Sequence, residues 1–169
     1  TLTSWGVAAP ARLAPLDLPV AWRAEARLTL SRLGWNPRRP LLAVHPGAGG
    51  KWKRWPAAGF ARVIRWVSLE TGSQLLIHQG PADRDAADQL FRALDLPMLH
   101  LLEPPLHLLA AVLQEGSAYL GSDSGVSHLA AAVGARAVIL FSSPSVRERW
   151  APWSPTALPL AVSNGVHEK

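Results

Sequence analysis

The feature that most constrains the fold of this chain is a regular alternation of short apolar runs with segments of helical periodicity. Gly and Pro punctuate almost every junction between the two kinds of segment. The predicted strands are 41–44, 75–77, 97–101, 118–120 and 137–141, and the predicted helices are 21–33, 56–71, 83–94, 106–114 and 125–133. This alternation predicts an α/β fold, in which right-handed crossovers place helices on both faces of a parallel sheet.

Length and composition restrict the classes of protein to which the chain can belong. Its 169 residues, 49% of them hydrophobic, are enough for one domain with a substantial core. The sequence contains no cysteine, which excludes disulfide frameworks and thiolate metal sites and is typical of a reducing compartment. No stretch approaches the ~18 apolar residues of a membrane span. The formal net charge is +5, but no predicted helix carries Lys and Arg along one face, and the sequence has no series of aromatic residues on which bases could stack. No nucleic-acid partner is therefore expected.

The polar and glycine residues concentrate after three of the predicted strands. These segments are 45–54, 78–85 and 121–128. In open parallel sheets, ligands bind outside the carboxyl ends of the strands. We therefore expect the functional residues in these three segments.

The first segment, "HPGAGGKWKR", combines bare backbone with positive charge. Gly47 and Gly49 allow the backbone to approach a ligand closely, and Lys53 and Arg54 supply full positive charges beside them. The pattern is neither a Walker A loop nor G-x-G-x-x-G. A phosphate cradle and a glycine-rich turn with solvated cations remain equal alternatives for this segment.

The third segment, "SDSGVSH", predicts the start of a helix that could receive an anion. Ser124 is a natural N-cap, which leaves the amides of Gly125 and Val126 pointing out of the helix. Asp123 cannot bind phosphate itself, so we interpret it as a ligand of sugar hydroxyls or cations, or as a cap. His128 lies one turn into the helix, and its spacing alone favours a packing or capping role.

The second segment, "IHQGPADRD", places two carboxylates after a Gly-Pro turn. The helix dipole explains Asp85 at the start of the next helix. Asp83 has the same explanation, but a carboxylate at this edge of a sheet could equally accept hydrogen bonds from ribose hydroxyls. Both interpretations of Asp83 stay open.

Four motifs, in this order and spacing, resemble glycosyltransferase family 9, the ADP-heptose:lipopolysaccharide heptosyltransferase family. The resemblance covers roughly residues 41–155 and is carried by "HPGAGGKWKRWP", "IHQGPADRDAADQL", "GSDSGVSHLAAAVGARAVILF" and "RERWAPWSP". It implies a GT-B enzyme, in which two Rossmann-like domains face each other across a cleft. The chain would then comprise a linker from a missing N-terminal domain (1–20), the Rossmann-like nucleotide-sugar-binding domain (21–160) and a C-terminal tail (161–169).

The resemblance also assigns roles to individual residues. Lys53 would reach the phosphate or ribose of the donor, and Asp123 would hold its sugar hydroxyls. The residues that would bind or line the diphosphate are Gly47, Ala48, Gly49, Ser124, Gly125 and Val126, with His128 supporting them. A ribose-binding glutamate of some members has no clear counterpart here, because Ala82 or Asp83 falls near its position.

In this family the acceptor domain and the general base lie in the N-terminal half. The resemblance therefore implies that this chain contains no catalytic base and that, alone, it binds an ADP-heptose-like donor without turnover. It implies a lipopolysaccharide-type acceptor and a cytoplasmic location with peripheral association at the inner membrane face, and neither a cofactor nor a metal. Two alternatives remain: a stand-alone nucleotide-binding module, and another GT-B protein that uses a UDP-sugar.

Overall fold

The computed structural model describes residues 14–161, which form one six-stranded parallel sheet with helices on both faces. The strands are β1 (Leu41–His45), β2 (Gln74–Gln79), β3 (Met98–Leu102), β4 (Ala118–Ser122), β5 (Ala137–Phe141) and β6 (Ala157–Ala161). The helices are α1 (Val20–Arg32), α2 (Ala57–Thr71), α3 (Arg84–Ala93), α4 (Leu106–Glu115), α5 (Gly125–Ala132) and α6 (Pro144–Trp150). The predicted Rossmann-like α/β fold is confirmed.

The order of the strands in the sheet is β3-β2-β1-β4-β5-β6, and every neighbouring pair is parallel. The chain builds outward from β1 in one direction, then returns to the other side of β1 to add β4. The central strand β1 is buried along its whole length, which explains its uninterrupted apolar sequence. The reversal between β1 and β4 is the topological switch point of the fold.

The two faces of the sheet carry separate hydrophobic cores. Side chains of β1 alternate between them, with Leu41 and Ala43 on one face and Leu42 and Val44 on the other. Helices α2 and α3 cover the face of Leu42, and the other helices cover the opposite face. Among residues 14–161, no helix is both long enough and apolar enough to cross a membrane.

The carboxyl-terminal part of the fold differs from the prediction. The segment 147–155, for which no helix was predicted, belongs partly to α6, where Ser143 caps the helix by accepting a hydrogen bond from Val146 N. A sixth strand follows, so Ala161 ends β6 rather than beginning a tail. Strand β6 lacked a clear signal because it lies at the edge of the sheet and Pro159 interrupts it.

The predicted linker and tail fall largely outside the described residues, which exclude 1–13 and 162–169. The part of the linker segment that the structure describes lies against the domain. Leu18 is buried in the core, and Leu16 N donates a hydrogen bond to Ala132 O at the end of α5.

Candidate functional site

The chain leaves β1 and β4 toward opposite faces of the sheet. Helix α2, after β1, packs on one face through Phe60, and α5, after β4, packs on the other through Ala130. Because the two connections diverge, a crevice opens between the carboxyl ends of these adjacent strands. The first and third polar segments of the sequence flank this crevice.

Lys53 and Asp123 meet across the crevice. Lys53 ends a short 3₁₀ turn (Lys51–Lys53), and its Nζ lies 2.8 Å from Asp123 Oδ2. The Asp123 side chain is only 6% exposed, so its carboxylate depends on this ammonium for charge compensation. The pair therefore places a cation and a carboxylate together at the switch point.

The β1–α2 loop is anchored by its aromatic side chains and by β4. Trp55 packs edge-on against Phe60 with ring centroids 5.1 Å apart, and its backbone N–H donates to Ser122 Oγ at 3.1 Å. A Cβ at Gly59 would lie 2.8 Å from the Trp55 ring, so the ring needs a glycine beneath it. Trp52 is mostly exposed and lies under Lys53 Nζ, 5.2 Å from the ring centroid. These contacts hold Lys53 over the end of β4.

The amino end of α5 faces the same crevice. Ser124 is the N-cap, and its Oγ accepts a hydrogen bond from Ser127 N at 3.3 Å, as predicted. The amides of Gly125 and Val126 have no acceptor within the helix. Gly125 is exposed, and a Cβ built on it meets no atom within 4 Å. The helix end is thus open to an anion.

Buried hydrogen bonds fix α5 to β4. Tyr119 Oη lies 2.9 Å from Ser127 Oγ, which donates to Ser122 O at 2.6 Å. Burial raises the pKa of the Tyr119 hydroxyl well above its ordinary value, so this hydroxyl remains protonated. Gly121 is required beside this network, because a Cβ there would overlap the Tyr119 hydroxyl.

Asp83 lies on the next strand exit and turns inward. Its Oδ2 accepts a hydrogen bond from Gly80 N at 3.2 Å, and the carboxylate lies against Gly47, where a Cβ would overlap it. Asp83 occupies the N-cap position of α3 without making a side-chain capping bond. The carboxylate therefore connects the exits of β1 and β2, an arrangement that neither sequence interpretation included.

The remaining predicted residues lie outside the contact between Lys53 and Asp123. Gly49 is exposed with open space around its Cα, and Ala48 is half-buried. His128 is exposed on α5 and lines an apolar groove of about 440 Å³ with Leu16 and Trp153. A cleft of about 100 Å³ lies beside Lys53, between the β1–α2 loop and the end of β5. Size alone does not select a site here, because the larger groove contains few polar groups.

The structure brings together several residues that the family resemblance assigned to one donor site. Lys53, Asp123 and the amino end of α5 share the crevice, Gly47 and Asp83 contact each other beside it, and His128 lies along the α5 groove. Two buried histidines, His45 and His78, lie side by side beneath Gly47 and were not among the predicted site residues. Their signal was a histidine near the end of each of two neighbouring strands.

The sequence of the chain matches known proteins along nearly its whole length. Residues 5–168 match the sequence model of glycosyltransferase family 9 (heptosyltransferase). Lipopolysaccharide heptosyltransferase 2 of Salmonella typhimurium strain LT2 is 28% identical to this chain in a match that covers 90% of this chain and 47% of that protein. The chain thus spans about half the length of the curated relatives it matches.

Two solved glycosyltransferase structures have a similar fold. The glycosyl transferase family 9 structure from Veillonella parvula DSM 2008 superposes with a TM-score of 0.83 at 22% identity, covering 98% of this chain and 48% of that one. The E. coli heptosyltransferase WaaC with ADP superposes with a TM-score of 0.66 at 17% identity, covering 95% of this chain and 47% of that one. The match across nearly the whole sequence establishes that the chain belongs to glycosyltransferase family 9, the heptosyltransferase family.

Proposed function

We propose that this chain is the donor-binding half of an inverting glycosyltransferase that acts in lipopolysaccharide core biosynthesis, and that it binds an ADP-heptose-like nucleotide sugar. Residues 21–161 form the binding domain in this proposal, 1–20 link it to an N-terminal acceptor domain, and the residues after β6 form a tail. The acceptor is of lipopolysaccharide type, which places the whole enzyme in the cytoplasm at the inner face of the membrane.

The observation that carries this proposal is the convergence of Lys53 and Asp123 beside the open amino end of α5. A diphosphate there would receive the Lys53 ammonium on one side and the amides of Gly125 and Val126 on the other. The Asp123 carboxylate would accept a hydrogen bond from a sugar hydroxyl, and the Lys53 ammonium beside it compensates its negative charge, which would otherwise repel the phosphates.

The open space at the loop after β1 supports this proposal. Gly49 leaves open space in which a diphosphate could pass close to the backbone, and Ala48 beside it lines the same approach. Ser124 would add its hydroxyl from the other strand exit, and His128 would support the site from the first turn of α5. The ADP in the WaaC structure favours an adenine nucleotide over a uridine nucleotide.

This half would supply one part of the transfer chemistry. Lys53 and the α5 amides stabilise the diphosphate as it leaves the sugar. The acceptor hydroxyl must also lose a proton, and we assign that base to the N-terminal half. The chain alone should therefore bind the donor without transferring its sugar.

Calorimetric titration with ADP tests the proposal. We expect Lys53→Ala to weaken ADP binding, and Asp123→Ala to weaken the binding of an ADP-sugar, each by about tenfold or more, the range for one charge-assisted contact. Lys51→Ala is the matched control, because Lys51 is an exposed cation of the same 3₁₀ turn and should leave affinity unchanged. Parallel titrations with UDP test whether the site prefers an adenine or a uracil nucleotide.

The outcomes separate the alternatives. ADP affinity unchanged in Lys53→Ala, together with ADP-sugar affinity unchanged in Asp123→Ala, would remove the site from the crevice. Tighter binding of UDP than of ADP would replace the heptose donor with a UDP-sugar. Binding of the expected strength in a protein that naturally lacks an acceptor domain would favour a binding module instead of a transferase.

A further inference from the structure

Two buried histidines lie directly beneath the glycine loop, and the proposed function gives them no role. His45 ends β1 and His78 lies near the end of β2. Their side chains are almost entirely buried, with Nδ1 of His45 3.1 Å from Nδ1 of His78 and the ring centroids 4.9 Å apart. Two ring nitrogens at this distance share one proton, since one must donate and the other accept.

The outer edge of the His45 ring faces Asp83 and Gly47. His45 Nε2 lies 3.8 Å from Asp83 Oδ2, and a Cβ at Gly47 would lie 2.9 Å from His45 Cε1. The imidazole is therefore separated from the surface by the backbone of Gly47 and by the Asp83 carboxylate. An anion bound at the Gly47–Gly49 loop would lie on the opposite side of that backbone.

The free protein holds this pair uncharged. Burial lowers the pKa of His45, an effect that the charge of Asp83 opposes and that of Arg54 reinforces. Burial, together with the charges of His45 and His100, lowers the pKa of His78 to about 3. Tyr119, on the other neighbouring strand, is a protonated phenol and adds no charge.

A bound diphosphate changes this balance. It would bring negative charge close to the Asp83 carboxylate, and like charges in a partly buried site repel strongly. An additional proton on the pair removes part of that repulsion. It would make His45 an imidazolium that donates from Nδ1 to His78 and presents Nε2–H to Asp83, an arrangement for which the atoms are already placed.

We propose that His45, His78 and Asp83 form a proton-linked support of the nucleotide site, which takes up a proton when a diphosphate binds above Gly47. The inference rests on the proposed nucleotide site and adds a pH dependence to it. His45 and Asp83 are then positioning residues, because they act on the ligand through the Gly47 backbone. Donor affinity rises as the pH falls, until protonation of the free protein ends the effect.

Proton uptake is measured by calorimetric titration of the 169-residue chain with ADP-ribose. The diphosphate of this probe is esterified at both ends, so it has no phosphate group that titrates near neutral pH. Titrations at pH 6 in buffers of different ionisation enthalpy give the number of protons bound. We expect uptake of about half a proton or more, and an affinity that rises several-fold between about pH 7.5 and pH 5.5.

Substitutions test whether His45 is the residue that takes up the proton. His45→Gln keeps a polar side chain beneath Gly47 but cannot take up the proton, so uptake and the pH dependence of affinity should disappear. His107→Gln is the matched control, because His107 is half-exposed on α4 and pairs with Glu25 far from the loop. If His45→Gln does not fold, the NMR signals of the wild-type His45 and His78 rings report their protonation directly as ADP-ribose is added.

The failures of the two proposals are distinguishable. Absence of ADP-ribose binding, at every pH, contradicts the nucleotide site itself. Binding that depends on Lys53 but takes up no proton leaves the site intact and overturns the proton linkage. Uptake that persists in His45→Gln, or ring signals that do not move on binding, also overturns it.

Discussion

Lys53 Nζ lies 2.8 Å from Asp123 Oδ2, and this contact joins the exit of β1 to the exit of β4. The two residues are far apart in the sequence, but their strands are neighbours at the switch point of the sheet. The contact brings a cation of the glycine-rich loop to the start of α5. It is the structural basis of the proposed donor site.

This ion pair should contribute to folding as well as to binding. Lys53→Met removes the cation and leaves the buried Asp123 carboxylate uncompensated, so we expect a loss of about 1–3 kcal/mol in the free energy of unfolding. The double variant Lys53→Met/Asp123→Asn should lose less than the sum of the single variants. Urea unfolding measures all three, with Lys51→Met as the control. Strict additivity would show that the two side chains do not interact in solution.

Substitution by alanine should affect stability at Gly47 but ligand affinity at Gly49, although the two glycines belong to one loop. Gly47→Ala places a methyl group against the Asp83 carboxylate and the His45 ring, so it should destabilise the fold by about 1–3 kcal/mol. Gly49→Ala meets no atom within 4 Å and should leave stability nearly unchanged. Its methyl group would instead obstruct a diphosphate and weaken ADP binding. Thermal unfolding and calorimetry separate the two effects, and equal stability of the two variants would contradict the packing of Asp83 on Gly47.

Glu103 should be replaceable by glycine with a gain in stability. Its φ is +44°, the only positive φ of a non-glycine residue among residues 14–161. Glu103→Gly relieves the steric cost of this conformation, which is about 1 kcal/mol. Glu103→Ala removes the same carboxylate but keeps the strain, so it is the matched control and should not stabilise. Chemical denaturation of both variants checks this, and equal gains would assign the effect to the charge.

The buried histidines should make the protein sensitive to acid. The pKa of His78 is lowered to about 3 in the folded chain, against about 6.5 when unfolded. The unfolded state therefore binds this proton first as the pH falls, and stability is lost progressively between these two values, by at most about 1.4 kcal/mol per pH unit. His45 acts in the same direction, because burial lowers its pKa as well.

Urea midpoints across this pH range measure the effect. His78→Gln should flatten the pH dependence between about pH 6 and pH 4, whereas His107→Gln should keep the slope of the wild type. An unchanged slope in His78→Gln would mean that the imidazole is not held neutral in the folded state.

The amino-acid sequence by itself determined the alternating architecture and the segments in which the polar residues gather. Short apolar runs such as Leu41–Val44, bounded by Gly and Pro, have few other structures available, and Ser124 specifies a helix start locally. These signals are local, because they depend on periodicity and on the backbone preferences of neighbouring residues. The edge strand β6 was not predicted, because its side chains are only partly buried and Pro159 interrupts its apolar pattern.

Only the tertiary structure decided which strand exits meet. Every parallel sheet brings its carboxyl ends to one edge, but the order β3-β2-β1-β4-β5-β6 is what sets Lys53 beside Asp123. It also turned Asp83 toward Gly47 and buried His45 against His78. The physical reason is that strand order and side-chain direction depend on how the helices cover both faces of the sheet, a long-range packing choice that no local sequence pattern encodes.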